Sequence, residues 1–369
     1  MRRIVSPAGG PTVRSGWRNL GTALVAIAAA TAPAAATLLA PPAVGRLTPP
    51  AGVEAWRADG RRLPDPLAAD PATVQRFLTA AGPDRQQALA AEYPGVVGNL
   101  DGAPPALRYA ANQRAMAAAG PPYRGRAGQY LLFDPRGQGM VAQVFGDLST
   151  AGRIAVLVPG AGNRAGNFWR GVGGRAFRSP SVQGSDLFEA ARRYGSDADR
   201  FAVVVWLGYD APDGVDISAA REDLARAGAE ALVRFVAGLT AIRPRATVAL
   251  LGYSYGSTVV GLAARRLPGQ VTDIAAFGSP GMGVDHASEL GTTARVWAGL
   301  SRHDLMRWVP GLRLAGLGHG RQPADPDFGA TVFGAGDVVD HDHYLAPGTD
   351  SQAHLTRIAL YGADRQGAA

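Results

Sequence analysis

The chain contains no cysteine and no lysine. Without cysteine there is no disulfide framework, no thiol nucleophile, no thiolate metal site and no cysteine for a lipid anchor, and the redox compartment leaves no trace. Without lysine all 37 basic residues are arginine, which beside 49 Gly and 27 Pro points to a coding bias before it points to chemistry. Acids are missing from the first 50 positions, which hold Arg2, Arg3, Arg14, Arg18 and Arg46. Of the net charge of +7, the rest of the chain therefore keeps only +2, with 32 Arg against 30 Asp and Glu. So neutral a body excludes a nucleic-acid surface as its main function. Disorder is excluded as well, because 369 residues at 47% hydrophobic content can bury a core in one large domain or two medium ones.

What is present begins with an uncharged run from Leu20 to Ala40, LGTALVAIAAATAPAAATLLA, preceded by arginines and carrying the small-residue site Ala34-x-Ala36. This reads as an export segment in residues 1–40, either a cleaved signal or a single-span membrane anchor, and the protein is expected to be secreted or held at the cell membrane. Pro33 and the flanking charge argue against a buried core helix. Residues 41–52, PPAVGRLTPPAG, read as a linker.

Residues 53–125 form a helical extension. Asp70-Pro71 caps a helix that Gly82 stops, a second runs from Pro83 to Tyr93, and a third runs from Pro104-Pro105 to Gly120-Pro121. From residue 126 to 365 the pattern changes. QYLLF (129–133) and GMVAQVF (139–145) flank an Asp-Pro-Arg-Gly turn, and apolar strands at 154–158, 201–206, 247–252, 273–277, 294–300 and 330–333 then alternate with helices near 185–194, 217–240, 255–267 and 352–361. Continuous apolar strands separated by helices imply a mostly parallel sheet covered on both faces. An antiparallel hairpin leading into such a sheet is the order of an α/β-hydrolase fold.

Gly252-x-Ser254-x-Gly256 lies between the strand TVALL and the helix YGSTVVGLAARRL. In so glycine-rich a chain the spacing alone arises about 0.25 times by chance. Its position at a strand-turn-helix junction carries the weight, because a nucleophile elbow needs a strained serine with small residues on both sides. The new helix also aims its amides and positive dipole end at the site, which makes the Tyr255 N–H an oxyanion donor. A serine hydroxyl needs a base and the base an acid, here in the order Ser, Asp, His. His341 and His343, in DVVDHDHYL, fall after the last strand; His341 is the expected base and His343 its competitor. Asp304, in SRHDLM, is the expected acid, and Asp285 the alternative. The other histidines read as surface or capping residues. His341-x-His343 could also be a metal pair with Asp340 and Asp342, but no spaced partner cluster accompanies it. The turn Pro159-Gly160-Ala161-Gly162 offers the second oxyanion donor, the Ala161 N–H, with Gly160 beside the substrate. A dinucleotide fingerprint in GAGNRAG is disfavoured because the next strand, FAVVVW, ends in Leu-Gly and not in an acid. Asp210, in GYDAPD, is a candidate to line the substrate pocket.

VLVPGAGN, WLGYDAPD, LGYSYGS, FGSPGMGV and HDHY together resemble a family of α/β-hydrolases common in high-GC bacteria and known mainly as a domain of unknown function. The likeness runs from about residue 55 to 362. It implies Ser254 as nucleophile, Asp304 as acid and His341 as base, the histidine standing three residues before Tyr344. Tyr253 and Asp342 depart from that family's usual His and Ser. The expectation is a cofactor-independent serine hydrolase acting through an acyl-enzyme on a small-molecule carboxylic ester, or on an amide or thioester. The rival is a non-catalytic binding module of the same fold at the cell surface.

Overall fold

The computed structural model describes residues 49–214, 218–313 and 317–362. The expected export segment lies outside these residues. No described helix is long and apolar enough to cross a membrane.

The first elements are helical: α1 (Val53–Arg57), α2 (Pro71–Glu92), α3 (Pro94–Val97) and α4 (Pro105–Ala119). The two helices expected on either side of Gly82 form one run, α2, that breaks at Gly82 with φ 74° and ψ 165°. Trp56, Val74, Leu78, Leu89, Val97, Leu107 and their neighbours give this part an apolar core of its own. The end of the expected linker is not free chain, since Pro50 is buried and Arg136 donates to the Pro49 carbonyl at 2.6 Å.

An eight-stranded sheet follows in the order β1-β2-β4-β3-β5-β6-β7-β8. Its strands are β1 (Gln129–Asp134), β2 (Met140–Gly146), β3 (Arg153–Val158), β4 (Phe201–Leu207), β5 (Thr247–Tyr253), β6 (Val271–Phe277), β7 (Arg295–Gly299) and β8 (Thr331–Val332). β2 is antiparallel to both β1 and β4, and from β4 to β8 every pairing is parallel. Edge strand β1 is covered by the helical extension. Asn99 bonds both the N–H and the carbonyl of Phe133, at 2.8 and 3.0 Å, and Asn112 donates to the Tyr130 carbonyl at 2.8 Å. Side-chain amides thus satisfy backbone groups that would otherwise invite another chain to pair. All seven residues of β4 are buried, as expected for a strand covered on both faces.

The covering helices are α5 (Pro180–Arg192), α6 (Asp223–Ile242), α7 (Tyr255–Ala263) and α8 (Asp350–Tyr361). α5 starts earlier than its apolar rhythm suggests, because the Ser179 hydroxyl accepts from the Val182 N–H at 3.3 Å and Pro180 fills the first helical position. α6 begins at Asp223, later than the 217 read from its rhythm, and Ile217 lies outside the described residues. Ala225, Ala229, Leu232, Phe235, Val236 and Leu239 form its buried face. α7 ends at Ala263 and tightens into a 3-10 turn over Ala264–Arg266.

Candidate active site

β5 delivers the chain to Ser254 at the centre of the sheet, and α7 takes it away. Ser254 has φ 52° and ψ −128°, one of only two non-glycine residues at positive φ among those described. Such a conformation costs about 1–3 kcal/mol and persists only where the surroundings hold it. The Ser254 N–H donates to the Phe277 carbonyl at 3.0 Å, and its carbonyl accepts from the Ser257 N–H at 2.9 Å. Tight packing explains the flanking glycines: a Cβ on Gly252 would lie 2.6 Å from Ser257 Cα, and one on Gly256 would lie 2.2 Å from the Val158 carbonyl oxygen. Larger residues would push the helix off β5 or off the end of β3.

Ser254 Oγ lies 3.0 Å from His341 Nε2. His341 Nδ1 lies 2.9 Å from both Oδ1 and Oδ2 of Asp304. A carboxylate can only accept, so Nδ1 carries the proton and Nε2 presents its lone pair to the hydroxyl. Asp304 is 1% exposed and Ser254 8%. Burial by itself pushes the Asp304 carboxyl up, but His341, the Met306 N–H at 2.8 Å and the Tyr344 hydroxyl at 2.6 Å outweigh it, and the group is held below the ordinary carboxylate range.

The competing residues stand elsewhere. His343 Nδ1 is 2.5 Å from Asp340 Oδ1, and its ring stacks on Phe177. Asp285 accepts from the Arg321 N–H at 3.1 Å. Of the histidines read as surface or capping residues, His319 is not at the surface. It is 2% exposed, bonds the Ala219 carbonyl at 2.6 Å, packs edge-on against Tyr255, and has its pKa lowered by burial.

The turn after β3 lies against the serine, so closely that a Cβ on Gly160 would be 2.7 Å from Ser254 Cβ and 3.1 Å from Oγ. Three bonds fix that turn: the Tyr209 hydroxyl to the Pro159 carbonyl at 2.6 Å, Asn163 Nδ2 to the Gly160 carbonyl at 2.9 Å, and the Gly162 N–H to the Pro212 carbonyl at 2.7 Å. With two of its carbonyls held, this turn is fixed beside Ser254, the residue that precedes α7. Asp210 goes elsewhere. It opens on a cavity lined by Trp206, Tyr209, Phe235, Arg108 and Asp134 among others, and none of Ser254, His341, Asp304, Gly160 or Ala161 lines it. Partial desolvation raises the Asp210 carboxyl there.

Two tyrosines complete the arrangement. Tyr344, in the sequence only a marker after the histidine, donates to Asp304 Oδ2 and accepts from the Ser301 N–H at 2.9 Å. Tyr253 donates to the His341 carbonyl at 2.8 Å and lies 3.3 Å from Asp342 Oδ1, which Arg178 holds at 3.2 Å. Both residues that depart from the resembled family therefore meet at the back of the histidine loop. All three stand next to Ser254 or within three residues of His341 in the sequence, but nothing in those positions announces the bonds they make. Tyr344→Phe should strand the buried Ser301 N–H and remove a donor from Asp304. The expected result is a stability loss of about 1–3 kcal/mol in urea melts. Because the carboxyl's pKa then rises, the acid limb of the activity profile should move to higher pH.

Residues 134–314 match a family model described as an alpha/beta hydrolase. An uncharacterised protein of Mycobacterium tuberculosis (strain ATCC 25618 / H37Rv) is 28% identical over 379 residues, covering 81% of this chain and 56% of that protein. An uncharacterised protein of Mycobacterium bovis is 35% identical over 161 residues, or 43% of this chain and 58% of that protein. The chain thus spans little more than half the length of these curated relatives. Among solved structures, an α/β serine hydrolase without lid from Xanthomonas campestris aligns at 17% identity and TM-score 0.35, covering 64% of this chain and 92% of that one. A dienelactone hydrolase from Anabaena variabilis aligns at 13% identity and TM-score 0.36, covering 64% and 96%. The sheet order, the strand-elbow-helix junction and the match over residues 134–314 give this chain the α/β-hydrolase fold.

Proposed function

We propose that the chain is a serine hydrolase that cleaves carboxylic esters through an acyl-enzyme. One observation carries the reading: a buried carboxylate, an imidazole and a hydroxyl in an unbroken hydrogen-bonded line at a strained turn. As Ser254 Oγ attacks the ester carbonyl carbon, His341 Nε2 takes its proton, and Asp304 stabilises the imidazolium without taking a proton itself. The carbonyl oxygen becomes an oxyanion that the backbone N–H groups of Tyr255 and Ala161 receive, assisted by the positive end of α7. Collapse of the tetrahedral intermediate breaks the ester C–O bond, His341 protonates the leaving alkoxide, and a water activated by His341 then releases the acid. The chemistry needs no cofactor. The arginine-flanked, uncharged run from Leu20 to Ala40 supports export of the protein to the cell surface or beyond.

The test is a series of p-nitrophenyl esters of rising acyl length, assayed with purified protein and no added cofactor. Saturable release of p-nitrophenol, with an optimum at one chain length, is expected. Release no faster than in buffer across the whole series would favour the binding module.

A further inference from the structure

Large apolar side chains left in solvent are unevenly placed on this molecule. Among the described residues they are Phe177, Leu305, Trp308, Leu312, Val332 and Val339, and all but Val332 lie on segments that adjoin Asp304 or His341. Leu305 follows Asp304 directly, and Trp308 and Leu312 continue the same loop with 73% and 71% of their surface in water. On the other side Val339 stands two residues before His341, and Phe177 stacks on His343 with ring centroids 4.4 Å apart. A folded chain forgoes burial free energy at each such position, and a concentration of them on the segments around Asp304 and His341 marks a contact surface.

The charge on the more exposed side has one sign. From Leu305 to Gln322 the sequence has no acid. Arg313 and Arg321 are engaged by Glu222 and Asp327, whereas Arg302 and Arg307 are exposed. The Arg307 guanidinium lies 5.1 Å from the Trp308 ring centroid and donates to the Arg302 carbonyl at 2.8 Å, while Arg302 Nε donates to His303 Nε2 at 2.9 Å. Asp304, between them in sequence, is buried against His341. On the opposite loop Asp342 is paired with Arg178, Asp340 bonds His343, and Asp337 accepts from the Asp350 N–H.

We propose that the 302–312 loop docks on an anionic lipid surface, with Leu305, Trp308 and Leu312 entering the acyl boundary and Arg302 and Arg307 meeting headgroup phosphates. A tryptophan with exposed leucines and flanking arginines has the amphipathic character that such an interface selects. The loop is separate in sequence from the arginine-flanked N-terminal run, and docking here needs no turnover. Its consequence, that an acyl ester reaches Ser254 from the lipid side, rests on the serine-hydrolase reading.

Because the chain has no cysteine, a single introduced thiol reports one position. Full-length Leu312→Cys, labelled with an environment-sensitive nitrobenzoxadiazole dye, is titrated with vesicles of phosphatidylcholine alone or mixed with phosphatidylglycerol. Ala118→Cys, on the exposed side of α4, is the control. Emission at 312 should shift to the blue and brighten on the anionic vesicles, while position 118 stays unchanged. Adding Arg302→Gln and Arg307→Gln should weaken the apparent affinity about 25-fold, at about fivefold for each charge near such a surface, and Trp308→Ala should also weaken it. Vesicles that sediment the chain while the dye at 312 stays in water would overturn the proposal, because another segment is then the anchor. A blue shift that appears without vesicles as protein concentration rises would overturn it too, in favour of a second copy of the chain. Turnover of soluble esters together with no vesicle response at 312 rejects the docking surface and leaves the hydrolase reading standing.

Discussion

Ser254→Ala is expected to lower kcat on a p-nitrophenyl ester by ~10⁶-fold, with the melting curve close to that of the parent chain. The magnitude follows from residues that act as a unit: once the nucleophile is gone, His341 and Asp304 have no proton to move, and only the oxyanion donors remain. The small effect on stability follows from the geometry. Oγ takes part in one hydrogen bond, to His341, whereas the strained backbone is held by the bonds of Ser254 N–H and carbonyl to Phe277 and Ser257, which alanine keeps. Ser257, the other hydroxyl of the elbow, cannot stand in. It is fully buried, and its Oγ lies 2.6 Å from both the Ser254 carbonyl and Ser279 Oγ. Steady-state assays that left the variant within tenfold of the parent would place the nucleophile elsewhere.

Asp304→Asn should reduce kcat by about 10⁴-fold, the size expected when an imidazole is held in the wrong tautomer. Three donors converge on this carboxylate: His341 Nδ1, the Met306 N–H and the Tyr344 hydroxyl. An asparagine oxygen would keep the Met306 N–H, and its amide would then face Tyr344 and His341. The phenol can rotate to accept, but Nδ1 could accept only by losing its proton, and Nε2 would then turn an N–H toward Ser254. A general base would become a donor. The same substitution alters acid stability. The folded-state pKa of Asp304 is depressed, so its contribution is fully present above the unfolded carboxylate value of about 3.9 and is lost as pH falls through the lower folded value. Thermal melts of the parent should therefore lose stability through that acid window, and melts of the asparagine variant should lose less. Equal slopes for the two proteins, or a variant with near-parental kcat, would contradict the role given to Asp304.

Much of this site was legible because two kinds of signal are local. Gly252-x-Ser254-x-Gly256 sits within one turn of chain, and the glycines answer to contacts made by their own strand and helix. The order of apolar strands and helices located the loops after β7 and β8, where Asp304 and His341 were expected and where they stand. Other features depend on contacts across long stretches of sequence. Tyr253 meets Asp342 over 89 residues, and Asn99 reaches Phe133 over 34. No periodicity announces either pair. Asp210 shows the limit of motif reasoning: it follows a strand that ends on the site's side of the sheet, yet its side chain turns to a cavity between the helical extension and α6. The start of α6 was misplaced because apolar rhythm marks the face a helix buries and not where its first hydrogen bond closes.

The claim on which the functional account stands is that Ser254 is an activated nucleophile, and covalent capture tests it without knowledge of the substrate. The folded chain is incubated with a fluorophosphonate, digested, and its peptides read by mass spectrometry. The account predicts a single phosphonyl adduct on Ser254, absent from Ser254→Ala and formed far more slowly in His341→Ala. Folded protein that carries no adduct, or carries one on a different serine, would contradict it.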